Sequence, residues 1–241
     1  MLYIHPFAEE MNKSRRMVAL QSRALAAAGY DVLQIDLLGC GDSSGDFADA
    51  SWLTWRHDVL AGYHCLRERS AAPLILWGLR AGCLLLAEAS AELPEAADFI
   101  FWQPVISGKQ HWQQFMRLKM AGEIASGQAK AAGEQLRQQL ADGQAVEIAG
   151  YGISPALAQG LEQADLKPDS TRAGRIIWLE TSLREEPLLT PVAQKRIKQW
   201  EAAGYRVNAR MAHGPAFWQT IEIEDAPELI AATLSSLEAW R

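Results

Sequence analysis

The chain has 241 residues, 49% of them hydrophobic, and a formal net charge of −6. That length suits one large α/β domain or two small ones, with enough apolar side chain for a buried core. The acidic balance excludes nucleic acid as the main partner, because phosphate binding needs a basic face. No run of about 18 apolar residues occurs, so no transmembrane helix is expected. The opening MLYIHPFAEE lacks the basic, apolar and small-residue regions of a signal peptide. The three cysteines, Cys40, Cys65 and Cys83, are odd in number and lack CxxC spacing. Disulfides and a cysteine-rich zinc site are therefore not expected, and a cytoplasmic location fits.

Short β-rich runs alternate with longer helical stretches, which predicts the α/β class: a mostly parallel sheet with helices on both faces. The first strand is Leu2–His5, followed by a helix over 14–28 that stops at Gly29. Tyr30–Leu37 reads as the next strand and runs into the loop LLGCGDSSGDF. Trp52–Arg69 is a helix, Leu74–Trp77 an apolar strand of the buried parallel kind, Cys83–Ala91 a helix and Asp98–Trp102 a strand.

From Gly108 to about Leu166 the rhythm changes to glutamine- and alanine-rich helical sequence, with a brief strand-like VEIAGY at Val146–Tyr151. Ser154-Pro155 has the form of an N-cap followed by proline at the first helical position. Its apolar residues recur at helical spacing, so residues 108–166 are expected to form a helical cap inserted into a single domain spanning 1–241. Alternation resumes with strand Arg175–Glu180, helix Pro191–Ala203, strand Arg206–Met211 and helix Ala226–Trp240.

Gly78-Leu79-Arg80-Ala81-Gly82 lies between a strand and a helix, which is the pattern of a nucleophile elbow. The residue between the two glycines is expected at φ > 0, with the glycines avoiding collision with neighbouring backbone. Upstream, IDLLGCGDSSG has the D-x-x-G-x-G-x-S shape that follows a strand in α/β hydrolases. His5-Pro6-Phe7 leaves a strand where such enzymes place an oxyanion-hole amide. Three motifs in the right order predict the α/β-hydrolase fold.

The catalytic parts do not match. That fold's chemistry needs a hydroxyl or thiol at the elbow, activated by a histidine that an acid orients. Arg80 cannot serve, because its guanidinium stays protonated. Where G-x-x-H is expected after the last strand, the chain has Gly214-Pro215-Ala216-Phe217, and His213 lies upstream of it. Glu185 and Glu186, just before Pro187, are the acid candidates. Ser107 and His213 are the alternatives for relocated chemistry. His57, His64 and His111 lack metal-ligand spacing, and neither a metal nor a cofactor is expected. Of the nine tryptophans, Trp77, Trp102 and Trp178 fall in strands and read as core, whereas Trp112 and Trp218 are placed to line a pocket.

Arg80 at a helix N-terminus needs a partner. That partner is either an internal carboxylate, from Glu9, Glu10, Glu185 or Glu186, or a small anionic or acyl ligand. The expected ligand-binding set is His5, Phe7, Glu9, Glu10, Arg80, Ala81 and Trp218.

HPFAEEMNKSRRM, LQIDLLGCGDSSGDF, WGLRAG and GPAFWQTIEIEDAPELI resemble the family called exosortase A system-associated hydrolase 2, over nearly the whole chain and most weakly across the cap. The resemblance implies a bacterial setting of PEP-CTERM protein sorting and exopolysaccharide production, with arginine at the elbow as a family trait. It implies a fold and a setting but no reaction, so a non-hydrolytic ligand-binding or regulatory protein is the expectation. The alternative is an ester or thioester hydrolase with a rearranged site. In that superfamily strands usually precede the one ending in His5. Either they are absent here or the sequence starts downstream of the true start. Tyr30–Leu37 would then be a sheet edge, expected to be covered either by a homodimer through that strand or by upstream residues of the native gene product.

Overall fold

A computed structural model of the chain describes residues 1–123, 129–167 and 173–240. In chain order its first elements are β1 (Leu2–Ile4), α1 (Glu9–Ala27), β2 (Leu33–Gln34), α2 (Trp52–Arg67), β3 (Ile75–Leu79), α3 (Ala81–Ser90) and β4 (Asp98–Trp102). There follow α4 (Gly108–Glu123), α5 (Ala129–Ala141), β5 (Val146–Ile148), β6 (Tyr151–Ile153) and α6 (Pro155–Gln163). The last are β7 (Arg175–Ser182), α7 (Pro191–Ala202), β8 (Arg206–His213) and α8 (Pro227–Glu238). Two compact units result: residues 1–35, 61–106 and 166–241 form the first, and residues 36–60 and 107–165 the second.

The first unit is built on a six-stranded sheet in the order β2-β1-β3-β4-β7-β8, with every neighbouring pair parallel. Its central strands are apolar at consecutive positions because both faces are covered. The period-two alternation divides them. Trp77, Leu79, Ile100, Trp102, Ile177 and Leu179 join Met17, Val18 and Leu25 of α1 and Leu229 and Leu237 of α8 in one buried cluster. Phe99 and Phe101 point the other way, where both rings meet Trp200 of α7 at 5.8 and 5.7 Å. Trp102 also sends its indole N–H to Thr233 Oγ1 at 3.0 Å, which satisfies a polar atom sunk in apolar surroundings.

The second unit holds the antiparallel β5–β6 pair. Its turn residues Ala149 and Gly150 both have positive φ, as tight two-residue hairpin turns require. Phe47 packs on Trp55 and Tyr151 at 5.6 and 5.0 Å. Ser154 caps α6 by accepting the Leu157 N–H at 3.0 Å.

Among the expected elements that differ are the second strand and the first helix. The strand placed at Tyr30–Leu37 is only Leu33–Gln34, because its ends are committed elsewhere. Tyr30 N–H closes the end of α1 on Leu25 O, and Leu37 O accepts from Cys40 N–H in a turn. The short β2 does stand at the sheet edge. The first helix starts at Glu9, not near Ser14: Ser14 lies inside it, with Oγ bonded back to Met11 O at 3.1 Å.

Candidate functional site

Arg80 is the single residue between β3 and α3, at φ 55° and ψ −120°. Its backbone N–H donates to Trp102 O at 3.0 Å, while its carbonyl accepts from Cys83 and Val105 N–H at 3.1 and 3.3 Å. The flanking glycines permit this turn by close approach. A Cβ on Gly78 would stand 2.8 Å from Cys83 N, and one on Gly82 would stand 2.5 Å from Ile4 O and 2.7 Å from His5 O. Those obstacles are backbone and have little room to shift. Gly82→Ala is therefore expected to cost at least about 1–3 kcal/mol, read as a lower urea midpoint.

Ala8 and Gln103 also have positive φ, 50° and 41°. They follow β1 and β4, the two strands that flank β3. Three strained non-glycine residues thus lie beyond the carboxyl ends of three adjacent strands, and such strain costs about 1–3 kcal/mol each unless the surroundings enforce it. Among the described residues the only other non-glycine positive φ, at Ala149, belongs to the hairpin turn.

Beyond the elbow the Arg80 guanidinium turns to α1. Its Nε and Nη2 both donate to Glu10 Oε1 at 3.1 Å. The two side chains are only 16% and 15% exposed, so this pair is largely desolvated. The Arg80 guanidinium carbon stands 5.4 Å from the centre of the Trp218 ring, within cation–π range. Glu10 Oε2 is buried and accepts no hydrogen bond among the described residues. Burial pushes the Glu10 carboxyl above its ordinary range, against the opposing pull of Arg80 and, more weakly, Lys13.

A second buried carboxyl stands near the carboxyl end of β7. Glu180, in β7, is buried and shares a face of the sheet with Trp178, whose Nε1 donates to Glu180 Oε1 at 2.8 Å. Burial raises its pKa too, opposed by that indole bond and by the charge of Arg80. Beside it, Gln103 N–H donates to Leu179 O at 2.7 Å and Gln103 Oε1 accepts from Thr181 N–H at 2.9 Å. Neither Glu180 nor Gln103 was singled out in the sequence. The signal for Glu180 was available: an acid two residues after a strand tryptophan, at the end of an otherwise apolar run.

A carboxyl with a raised pKa in the folded state binds its proton more tightly there than in the unfolded chain. Its contribution is complete below the unfolded value and is lost as pH rises through the folded one. Glu180→Gln should therefore gain stability relative to the parent between acid and neutral pH. Chemical denaturation at a series of pH values checks this, and a difference independent of pH would contradict it.

The remaining candidates are dispersed. His5 and Phe7 are buried in the turn after β1: His5 Nδ1 lies 2.8 Å from Pro6 O, and Phe7 O accepts from Glu10 N–H at 3.2 Å. Glu9 is half-buried beside Glu10, and Ala81 opens α3. Trp218 is buried and meets Phe217 at 5.2 Å. Glu185 and Glu186 are exposed, and the partner of Arg80 is Glu10 instead. His213 is exposed, with its backbone N–H on Glu228 at 3.2 Å. Ser107 belongs to the second unit, where its Oγ accepts from Gln110 N–H at 3.4 Å and so caps α4. Cys83 is buried, and burial pushes its thiol upward, away from the reactive thiolate. Among the described residues no cluster of three or more His, Cys, Asp or Glu could hold a metal ion, and no helix is long and apolar enough to cross a membrane.

Comparison with solved structures places this geometry. Alpha/beta hydrolase domain-containing protein 10 from mouse matches 100% of the chain over 90% of its own length, at 17% identity and a TM-score of 0.60. The chain has the α/β-hydrolase fold. Est1E from Butyrivibrio proteoclasticus, with ferulic acid bound, is similar over 98% of this chain and 87% of its own, at 13% identity and TM-score 0.60. A thermostable carboxyl esterase from Bacillus coagulans, in complex with glycerol, is similar over 99% and 88%, at 11% identity and TM-score 0.60. No protein-family model and no curated protein sequence matches the chain. Within the α/β-hydrolase fold the elbow position carries the nucleophile, and here it carries Arg80.

Proposed function

We propose that this α/β-hydrolase-fold chain is a non-hydrolytic ligand-binding or regulatory protein that serves the exosortase and exopolysaccharide system from the cytoplasm. The observation that carries it is the elbow side chain, a guanidinium tied to Glu10 at 3.1 Å. A residue that cannot lose its proton supplies no nucleophile. The strain gathered around Ala8, Arg80 and Gln103 supports a retained site, since strain of this kind concentrates where ligands are held. Support for the exosortase setting is the sequence resemblance of the four segments quoted above. A homodimer paired along the β2 edge belongs to the same proposal.

The test is turnover of short acyl esters and acyl thioesters by the purified chain. Rates at the uncatalysed background are expected for both. A second reading, an ester or thioester hydrolase with a rearranged site, is favoured by Glu180, a buried carboxyl of raised pKa near the carboxyl end of β7. Turnover abolished by Glu180→Gln would establish that reading in place of the first.

A further inference from the structure

A cavity of about 290 Å³ opens at the amino-terminal end of the sheet, opposite the elbow. Its wall includes Ile75, the first residue of β3, and Arg175, the first of β7, and it lies wholly within the first unit. Two guanidiniums line it, and both are held in place. Arg67 Nε and Nη2 donate to the two Glu95 oxygens at 2.6 and 2.8 Å, and Nη1 donates to Ser70 O and Ala72 O at 3.0 and 2.6 Å. Arg175 Nε and Nη2 both donate to Asp98 Oδ2, and Nη1 donates to Trp240 O at 2.9 Å. The Arg175 guanidinium carbon also stands 4.5 Å from the centre of the Trp240 ring. Each terminal nitrogen of a guanidinium carries a pair of N–H groups. One N–H on Arg67 Nη2 and one on each terminal nitrogen of Arg175 therefore have no acceptor among the described residues.

We propose that this cavity is a ligand site for a small monocarboxylate with an apolar body about the size of one ring. It is separate from the elbow and does not rest on the reading given above. The carboxylate takes the remaining N–H groups of Arg67 and Arg175, whose planar forks match its geometry. Glu95 and Asp98 fix those forks but line the neighbouring hollow and not this cavity, where Asp31 is the one acidic residue of the wall. The ligand's apolar body packs on Tyr30, Leu66, Ile75, Leu237 and Trp240, which make up much of the remaining wall. Sites for small molecules span about 300–1,000 Å³, so a cavity at the low end of that range selects a compact ligand.

Isothermal titration calorimetry of the full chain with benzoate, acetate, benzamide and benzylammonium, at matched ionic strength, tests the proposal. Benzoate is expected to bind saturably. Acetate lacks the apolar body and benzamide lacks the charge, so each should bind at least about tenfold more weakly, and benzylammonium should not bind. Ala72 is an exposed wall residue, and Ala72→Phe should fill the cavity and abolish benzoate binding while the chain stays folded. Arg175→Gln should weaken benzoate by about tenfold or more. No saturable binding of benzoate overturns the site. Benzamide or benzylammonium binding as tightly as benzoate overturns the carboxylate assignment. Benzoate binding unchanged in Ala72→Phe puts the ligand elsewhere on the molecule, the elbow included, and overturns the proposal too. Binding unchanged in a folded Arg175→Gln removes the fork from the site. If Arg175→Gln does not fold, Ala72→Phe and the order of the four probes decide the matter alone.

Discussion

Arg80→Ser is expected to lower the folding stability of this chain by about 3–5 kcal/mol, although it restores the side chain that the α/β-hydrolase elbow ordinarily carries. The loss comes from Glu10. Its carboxyl is largely desolvated, one of its oxygens has no partner among the described residues, and the other depends on the Arg80 guanidinium. Removing the guanidinium leaves a buried carboxylate with nothing to offset its desolvation. Glu10 already favours its protonated form because of burial. Part of the loss is therefore relieved by proton uptake, and the cost should shrink as pH falls. The double variant Arg80→Met/Glu10→Leu should recover most of the stability, because apolar groups of similar volume replace a buried pair at little cost. Urea denaturation of the parent, the single and the double variant reads all three. An Arg80→Ser protein with the parent's midpoint would show that the pair has no structural weight.

Phe217→His, which fills the expected position of the catalytic base, should cost a similar amount, about 3–5 kcal/mol. Phe217 is among the largest fully buried side chains. Its ring stands 6.2 Å from Trp102 and 5.2 Å from Trp218, both edge-on. An imidazole there loses the apolar contact of the phenyl ring and brings two nitrogens into an aromatic cluster. Combining the change with Arg80→Ser should therefore yield an unstable protein and no esterase. Circular dichroism and a urea titration of Phe217→His measure this. A variant within about 1 kcal/mol of the parent would mean the pocket tolerates a polar ring, and hydrolysis could then be engineered back.

The strands were legible where burial on both faces forces unbroken apolar runs: Asp98–Trp102 matches to the residue, and β3 and β7 differ from expectation only at their ends. The elbow was legible because its glycines are sterically obligatory, with Ile4 O and His5 O too close to Gly82 for any side chain. The extent of β2 was not legible. YDVLQIDL has strand composition along its length, and only the backbone bonds of Tyr30 and Leu37 to neighbouring turns shorten it. The start of α1 was hidden because Ala8 caps it through backbone conformation, with no side-chain bond to betray it. At the site, HPFAEE brings both Glu9 and Glu10 to the loop beside the elbow, with Glu185 and Glu186 as further candidates for Arg80. Choosing Glu10 required the direction of α1 as it leaves β1. Glu186-Pro187 fits the acid loop of hydrolases better than Glu180 does, yet Glu186 is exposed in this chain.

Whether the elbow has given up nucleophilic chemistry is read most directly by the intact mass of the purified chain after exposure to a serine-directed fluorophosphonate. With Arg80 at the elbow and Cys83 buried beyond it, the mass should be unchanged, with no adduct above the level of a heat-unfolded control. One phosphonyl group per chain, mapped to any serine, would contradict the account and restore the protein to the hydrolases.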